Sequence, residues 1–377
     1  MPRIDARHSA ALHHLVEQIN DASAHGAALQ IIGGNSKDFY GNPLGAESPG
    51  RPISPLSTRE LQGITSYEPS ELVISCLAGT PLAELEAALA AAGQCLPFEP
   101  PRFAEGGTVG GMVAAGLAGP ARRYVGSVRD YVLGISLLNG KGELLHFGGQ
   151  VMKNVAGYDV SRLMAGALGI LGVLCELSLK VLPVSAATAT LRFDCNEQEA
   201  LRRMHDWATQ PLPLSATCWH AGNLYLRLAG AQAAVHSACS RLFADGEQMA
   251  PAAATAWWQS LRDHQHPFLR ADAQAADNTT LWRLSLPPTA PAIELPGTQL
   301  IEWGGAQRWW RTSTPAAQVR AIAAVAGGHA TLFRSLEPHT QAVFAPLDPV
   351  LLGIHKNLKQ AFDPARIFNP GRLYPEL

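Results

Sequence analysis

The stretch EGGTVGG at residues 105–111, followed directly by MVAAGLAG, decides how the fold is interpreted. Glycines at this density let backbone amides approach a phosphate, because no Cβ stands in the way. A Rossmann fingerprint needs G-x-G-x-x-G directly after a buried strand. Here the spacing differs, and the preceding LPFEPPRFA carries three prolines, which a central strand does not accept. The stretch predicts a phosphate-binding loop outside the Rossmann fold; a buried loop packed by small residues is the alternative.

A second glycine loop, GGNSK at residues 33–37, follows the short apolar segment ALQII. Its Asn and Ser are typical turn residues, and successive amides there can form a nest around a diphosphate. An ordinary strand-ending turn is the alternative. Because two such loops occur in one half of the chain, each after an extended segment, we favour the phosphate interpretation. The predicted phosphate-binding residues are Gly33, Gly34, Asn35, Ser36, Lys37, Gly107, Thr108, Val109, Gly110 and Gly111.

Composition excludes several classes of protein. The 377 residues carry a formal charge of −2 and only 16% charged residues, which argues against nucleic acid or an anionic membrane as the main partner. The first twenty residues predict an amphipathic helix and not a signal peptide, and no apolar run of membrane-spanning length follows. The six cysteines form no C-x-x-C pair, so we expect no iron–sulfur centre in this chain and a cytoplasmic location.

Hydrophobic periodicity predicts a mixed, strand-rich first half. Thr80 is expected to cap a helix that runs to Gly93, Asn139-Gly140 is expected to turn a hairpin, and GVLCELSLKVLP (172–183) alternates as a strand with one buried face. The composition shifts near residues 183–190. Beyond that shift, the pattern predicts a βαββαβ unit and then a looser set: strands at 190–194, 214–219, 223–228, 281–286 and 299–303, and helices at 196–208, 231–243 and 315–326.

The segment KNVAGYDVSRLMAGALGILGVL (153–174) combines polar side chains with a glycine-rich turn. Its polar members are Lys153, Tyr158, Asp159 and Arg162. Glycines at 169 and 172 would let Ile170 and Leu171 present their backbone to a flat ring.

Arginines and histidines give weaker signals. Arg129 could pair with Asp130 or with a cofactor phosphate, although a solvated surface role is the alternative. His264 and His266 lack the carboxylate pattern of a metal site, so no metal is expected. Trp257-Trp258 and Trp309-Trp310 are expected to pack at domain seams.

Taken in order, five segments resemble the FAD-binding domain of the vanillyl-alcohol-oxidase or p-cresol-methylhydroxylase (PCMH) family. They are GGNSK, GITSYEPSELVISCLAGTPLAEL, PFEPPRFAEGGTVGGMVAAGLAGPARRYVGSVRDYVLG, KNVAGYDVSRLMAGALGILGVL and FNPGRLYP. The resemblance implies an α+β fold with a two-subdomain PCMH-type FAD-binding domain at residues 1–185. It also implies a smaller α+β (ferredoxin-like) cap at 186–335 and a C-terminal segment at 336–377 that docks back on the first domain.

The same resemblance implies an FAD whose diphosphate lies on the two glycine loops. Arg129, Tyr158, Gly169, Ile170 and Gly172 complete the expected cofactor-binding set. Family members that attach FAD through histidine often carry G-G-H in the first loop, whereas this chain has Gly34-Asn35, so noncovalent FAD is expected.

The KNVAGYD and GGNSKDFYG segments, the length and the short cap are similar to the FAD-binding subunits of glycolate-oxidising complexes. That likeness implies a larger flavin subunit and an iron–sulfur subunit as partners, with any membrane contact made through them. Relatives that oxidise 2-hydroxy acids carry H-G-x-G-D-G-N-x-H in the cap, and this chain has no GDGN. Substrate chemistry is therefore expected in the partner.

Two alternatives stay open. The chain could be a self-sufficient dehydrogenase that binds a carboxylate through Arg334, His329 or Arg372, with a histidine as base. It could also be a structural subunit with a vestigial flavin site, since 47% of its residues are hydrophobic and permanent partners would suit such a surface.

Overall fold

The computed structural model describes residues 6–44, 51–149, 158–270, 279–335 and 342–377, so Lys153 lies outside the described residues. In the first half, a five-stranded antiparallel sheet lies beside a two-stranded parallel sheet. The larger sheet has the strand order Ile64–Glu68, Val73–Leu77, Val173–Lys180, Val132–Leu138 and Leu144–Gly148. The smaller sheet pairs Ala28–Ile32 with Ile53–Ser57, and a further short pair joins Gln94–Cys95 to Leu182–Pro183.

Helices cover both faces of these strands, because apolar residues emerge on each side of the sheet. One core contains Ile74, Val113 and Leu177, and the other contains Ile19, Leu56 and Phe368. The α-helices of this half are Ala6–His25, Leu82–Ala91, Val109–Ala115, Arg122–Val125, Val128–Tyr131 and Val160–Leu163, with a 3-10 turn at Pro69–Glu71.

The alternation of the strand Val173–Lys180 predicts a single buried face, but the structure does not show one. In the pairing with the strand Val132–Leu138, Ser136 lies opposite Glu176 and Leu137 lies opposite Leu174, so Cys175 has no residue opposite it. This β-bulge changes the side of the sheet to which the alternate side chains point. Cys175 therefore points to one core and Leu177 to the other. The expected single face is wrong because the alternation alone does not reveal the extra residue.

The predicted cap by Thr80 is also wrong. The helix begins at Leu82 after Pro81, and no side chain caps it. The Thr80 hydroxyl instead donates to the carbonyl of Gly63 over 3.2 Å. The amide of Leu82 donates to the carbonyl of Gly107 over 2.8 Å, so the second glycine loop satisfies the helix start.

An eight-stranded antiparallel sheet occupies the second half. Its strand order is Glu247–Gln248, Ala187–Asp194, Asn223–Gly230, Leu214–His220, Thr298–Glu302, Gln307–Thr312, Thr280–Ser285 and His329–Arg334. The helices Glu197–Ala208, Gln232–Leu242, Pro251–Arg262 and Ala316–Val325 pack on it, with 3-10 turns at Phe243–Asp245 and Trp303–Gly305. Trp309 and Trp310 lie in a fully buried strand, which the polar sequence QRWWRT does not indicate.

The end of the chain lies against its beginning. After the helix Pro349–Phe362, the amide of Leu29 donates to the carbonyl of Ile367 over 2.7 Å, and the amide of Asn369 donates to Leu29 over 2.9 Å. Within the ranges that the structure describes, no helix is both long enough and apolar enough to cross a membrane.

Candidate functional site

The two glycine loops contact each other directly. A Cβ on Gly34 would lie 1.6 Å from the carbonyl oxygen of Gly106, and one on Gly33 would lie 2.5 Å from Thr108 Oγ1. A Cβ on Gly107 would lie 3.1 Å from Ser36 Oγ. At Gly34 the obstacle is backbone, so glycine is required there by space, and the two loops touch along this contact.

Several amides of this surface have no acceptor in the protein. Among the described residues, the amides of Gly33, Gly34, Ser36 and Gly107 make no hydrogen bond. Asn35, between Gly34 and Ser36, adopts the left-handed region at φ 58°, a conformation that occurs where successive amides form an anion-binding nest. Unpaired amides in such a loop are suited to an anion with several oxygen acceptors.

Other residues of the second loop serve to hold it in place. The amide of Val109 donates to Thr80 over 3.0 Å, and that of Gly110 donates to Ala78 over 2.7 Å. A Cβ on Gly110 would lie 2.7 Å from that of Ala78. Glycine is thus needed at 110 for packing against the strand end, and this residue lies one layer behind the anion-facing surface.

Thr108 connects this anchor to the loop. It is the N-cap of the helix Val109–Ala115, and its hydroxyl accepts from the amide of Gly111 over 3.2 Å. Its hydroxyl hydrogen remains available as a donor on the side that faces Gly33.

Lys37 supplies a cation at the same surface. Its Nζ donates to Ser36 Oγ over 3.4 Å, and the part of the chain that the structure describes places no carboxylate within ion-pair distance of it. Burial lowers the pKa of Lys37 to about 8. A half-buried cation without a counter-ion is costly, so this lysine favours an anion beside it.

A cavity of about 100 Å³ lies between the loops and the end of the chain. Asn369 joins three of its walls: its Oδ1 accepts from the amide of Ile31 over 2.9 Å, and its Nδ2 donates to the carbonyl of Leu168 over 2.8 Å. The sequence indicated no role for Asn369 beyond the FNPGR resemblance. The lining also includes Gln30, Asp38, Tyr40, Ala114, Ala115 and Arg372.

These residues fit the diphosphate of FAD, because amide donors, a cation and a surface without Cβ atoms converge there. FAD supplies the redox chemistry when it is bound.

The glycine-rich turn after residue 165 does not offer a free backbone edge at Ile170. The amide of Ile170 donates to Ala167 over 3.1 Å, and its carbonyl accepts from Lys359 Nζ over 2.7 Å. Gly169 has φ 72°, and a Cβ there would lie 2.8 Å from Asn369 Nδ2. A Cβ on Gly172 would lie 2.6 Å from the Leu138 carbonyl oxygen. The turn therefore contacts the cavity through the neighbouring Leu168.

Arg129 and Tyr158 lie outside the cavity. Arg129 is exposed on the short helix Val128–Tyr131, and Tyr158 is 93% exposed. Asp130 accepts from the amide of Ser127 over 2.7 Å and from its hydroxyl over 2.9 Å, which closes the start of that helix. In the described residues, neither Arg129 nor Tyr158 joins the two glycine loops.

The three carboxylate-binding candidates are separated. His329 is exposed at the start of an edge strand. Arg372 donates to Asp38 Oδ1 over 3.1 Å and to the carbonyl of Asn42 over 3.1 Å, so its guanidinium is occupied. Arg334 is half-buried, and its guanidinium carbon lies 3.9 Å from the centroid of the Phe39 ring and 5.5 Å from that of the Phe103 ring. Across the described ranges, no group of three or more His, Cys, Asp or Glu side chains lies close enough together to hold a metal ion.

Comparisons with known proteins also indicate an FAD-binding protein. Residues 10–148 match a family profile described as FAD binding domain. The glycolate oxidase subunit GlcE of Escherichia coli (strain K12) is 47% identical over 363 residues, which are 96% of this chain and 97% of that protein. The glycolate oxidase subunit GlcD of Bacillus subtilis (strain 168) is 36% identical over 84 residues, 22% of this chain and 18% of that protein.

A solved structure of alkyldihydroxyacetonephosphate synthase superposes with a TM-score of 0.61 at 15% identity, covering 96% of this chain and 76% of that one. At this identity the likeness shows the fold. The expected α+β, PCMH-type FAD-binding fold and the FAD cofactor are confirmed.

Proposed function

Because the chain belongs to the family of the glycolate oxidase subunit GlcE, a family of FAD-dependent oxidoreductases, we propose that it is the FAD-carrying subunit of a glycolate (2-hydroxy acid) oxidase complex. The observation that carries the proposal is the contact between the two glycine loops, beside a cavity lined by Lys37 and by residues of the first loop whose amides are unpaired.

Each loop has a distinct task toward the cofactor. The first loop, residues 33–37, donates amide hydrogens to the diphosphate, and Lys37 balances part of its charge. The second loop donates from Gly107 and Thr108, while Val109 and Gly110 fasten it to the strand end. A flavin held in this way would be bound noncovalently, because position 35 is asparagine and not histidine.

We further propose that residues 1–185 form the FAD-binding domain, residues 186–335 the cap, and residues 336–377 a closing segment. The bonds of Asn369 to Ile31 and Leu168 support the last assignment, because they hold the tail against the first loop. In this arrangement the tail completes the cofactor cavity.

The cap decides which subunit we expect to oxidise the acid. Its sequence has no GDGN segment, so we assign oxidation of the acid to a larger flavin subunit, with an iron–sulfur subunit as the second partner. This chain would relay electrons or support assembly. We place it in the cytoplasm, where its six free cysteines stay reduced, with any membrane contact made through partners.

The test is purification of the chain alone and of its complex, each with an absorbance spectrum and mass spectrometry. We expect flavin bands in the isolated chain, FAD released into the supernatant after acid precipitation, and glycolate turnover in the complex. Absence of flavin would contradict the FAD assignment. Full turnover by the isolated chain would favour the self-sufficient dehydrogenase, for which the specific supporting observation is the half-buried Arg334, whose Nε has no hydrogen-bond acceptor among the described residues.

A further inference from the structure

A second cavity, of about 710 Å³, is lined by residues from both halves of the chain. The short strand pair Gln94–Cys95 and Leu182–Pro183 contributes to it, and so do the strand Ala187–Asp194 and the helix Pro251–Arg262. It shares no lining residue with the smaller cavity beside the glycine loops. A space of this size is in the range that takes up a drug-sized molecule.

Much of the lining of this second cavity is apolar. Leu96, Leu182 and Met249 contribute aliphatic side chains, and Trp258, which is 5% exposed, contributes an indole. The Trp258 Nε1 donates to Thr190 Oγ1 over 2.9 Å, so the polar atom of this ring is already satisfied. A molecule that replaces water beside these side chains must therefore have a mostly apolar body.

Charged side chains of the lining form one cluster. Arg102 pairs with Glu86, and Arg227 Nη1 pairs with Glu99 Oε1 over 2.8 Å. The carboxylates of Glu86 and Glu99 also attract Arg262. The lining thus carries three guanidinium groups against two carboxylates, an excess of one positive charge.

The hydrogen-bonding capacity that this cluster leaves unused is on the donor side. Arg227 is bonded through Nη1 and Nε, and Arg262 through Nε and Nη2. The other terminal nitrogens, Arg227 Nη2 and Arg262 Nη1, have no acceptor in the part of the chain that the structure describes. Both oxygens of Glu99 are occupied, one by Arg227 and one by the amide of Ala121 over 2.9 Å. The cluster is therefore suited to a ligand that brings acceptor oxygens.

We propose that this cavity binds a mostly apolar small molecule that carries a single anionic head group. Arg227 and Arg262 donate to the oxygens of the head group, and the excess positive charge of the lining balances its charge. The body of the ligand packs on Leu96, Met249 and Trp258. Because both halves of the chain line the cavity, the bound ligand stabilises the folded chain. The inference goes beyond the proposed function, since this site involves neither the glycine loops nor FAD.

Titration calorimetry of the full-length, FAD-loaded chain with octanoate, octanol, octylammonium and acetate separates the body from the head group. We expect octanoate to bind at least about tenfold more tightly than octanol, because only octanoate forms charge-assisted hydrogen bonds. Octylammonium should bind more weakly than octanol, and acetate, which lacks the body, should not bind detectably. Equal affinities for the three octyl compounds would indicate unspecific apolar partitioning and would overturn the site.

Substitutions in the lining test the two parts of the site. Arg262→Met should lower the octanoate affinity toward that of octanol and leave octanol binding unchanged. Val184→Asp is the second variant if Arg262→Met does not fold, as judged by its melting temperature and FAD content. Val184 lines the cavity at 57% exposure, so the added carboxylate should repel octanoate without a large cost in stability. Val325→Asp is the matched control, because Val325 is 91% exposed and lies outside the lining. Unchanged octanoate affinity in either folded variant of the lining would overturn the site.

Cys95 provides a second measurement, because this half-buried thiol lines the cavity. Octanoate should slow alkylation of Cys95 by iodoacetamide at least several-fold, while Cys195 and Cys239, half-buried outside the lining, react at unchanged rates. Equal slowing of all three cysteines would count against binding at this cavity. Protection of Cys95 in the purified complex without octanoate, together with loss of octanoate binding there, would assign the cavity to a partner subunit and overturn the proposal. A chain that binds octanoate but never FAD would contradict the proposed function alone.

Discussion

Gly34 faces Gly106 so closely that a methyl group on Gly34 would lie 1.6 Å from the Gly106 carbonyl oxygen. This contact joins two loops that are separated by some seventy residues of sequence. Because no side chain intervenes, amides from both loops can face one ligand.

Gly34→Ala tests whether the contact matters for the cofactor. The added methyl must push the loops apart, so we expect FAD content after purification to fall at least several-fold. Gly353→Ala is the matched control, because nothing lies within 4 Å of the position where its Cβ would stand. Flavin content and fluorescence report the result. Normal FAD content in Gly34→Ala would remove this contact from the cofactor site.

Lys37→Met tests the charge at the first loop. Loss of a charge-assisted hydrogen bond to phosphate is expected to weaken FAD binding by about 1.5–3 kcal/mol. The FAD affinity of Arg59→Met, which removes another cation near the loop, serves as the comparison. Arg59 donates to the carbonyl of Gly33 over 2.9 Å. Equal FAD affinities for Lys37→Met and the wild type, measured by fluorescence titration, would show that Lys37 does not contact the diphosphate.

The pH dependence of Lys37 gives a separate prediction for the FAD-free chain. Its pKa is about 8 in the fold, against 10.5 for the unperturbed side chain. Between these values the unfolded chain binds more protons than the folded chain, so this lysine makes stability rise as pH increases from about 8 toward 10.5. Urea unfolding should show that the rise is smaller in Lys37→Met. An identical profile in both proteins would contradict the burial of this ammonium group.

Asn369 fastens the end of the chain to the first loop. Asn369→Ala leaves the amide of Ile31 and the carbonyl of Leu168 without their partner, which is expected to cost about 1–3 kcal/mol of unfolding free energy. FAD content should fall as well, because the tail lines the cavity. Asn223→Ala is the control, since its carboxamide donates to the nearby carbonyl of Ala221. Unchanged stability and unchanged FAD content would mean that the tail is not a structural part of the site.

Lys359 and Asp363 form an ion pair whose side chains are both 0% exposed. Lys359 Nζ also donates to the carbonyls of Ile170 and Phe368, over 2.7 and 2.8 Å. Lys359→Met is expected to cost about 3–5 kcal/mol, because it leaves a buried carboxylate uncompensated. The double variant Lys359→Met/Asp363→Leu should be less destabilised than the sum of its single variants. Strict additivity in urea unfolding would contradict a coupled pair.

The glycine loops could be predicted from the sequence because their requirement is local. Gly33, Gly34 and Gly107 are conspicuous in a short window, and so is the turn chemistry of Asn35. The family resemblance then supplied the cofactor and the fold class, and both are confirmed.

What the sequence could not indicate depends on contacts between distant segments. The buried strand with Arg308 has a polar sequence, and this arginine is satisfied by the carbonyls of Ala290 and Pro291 at 2.6 and 2.7 Å. The sequence predicts that Ile170 presents its backbone to a flat ring, yet its carbonyl accepts from Lys359 Nζ, almost two hundred residues later in the chain. Each of these hydrogen bonds joins segments that are distant in the chain, so neither pairing leaves a local signal in the sequence.

A crystal structure of the FAD-loaded chain tests the central claim most directly. We expect diphosphate oxygens within about 3 Å of amide nitrogens from both residues 33–37 and residues 107–108. A diphosphate that contacts only one of these loops, or lies away from both, would contradict the account.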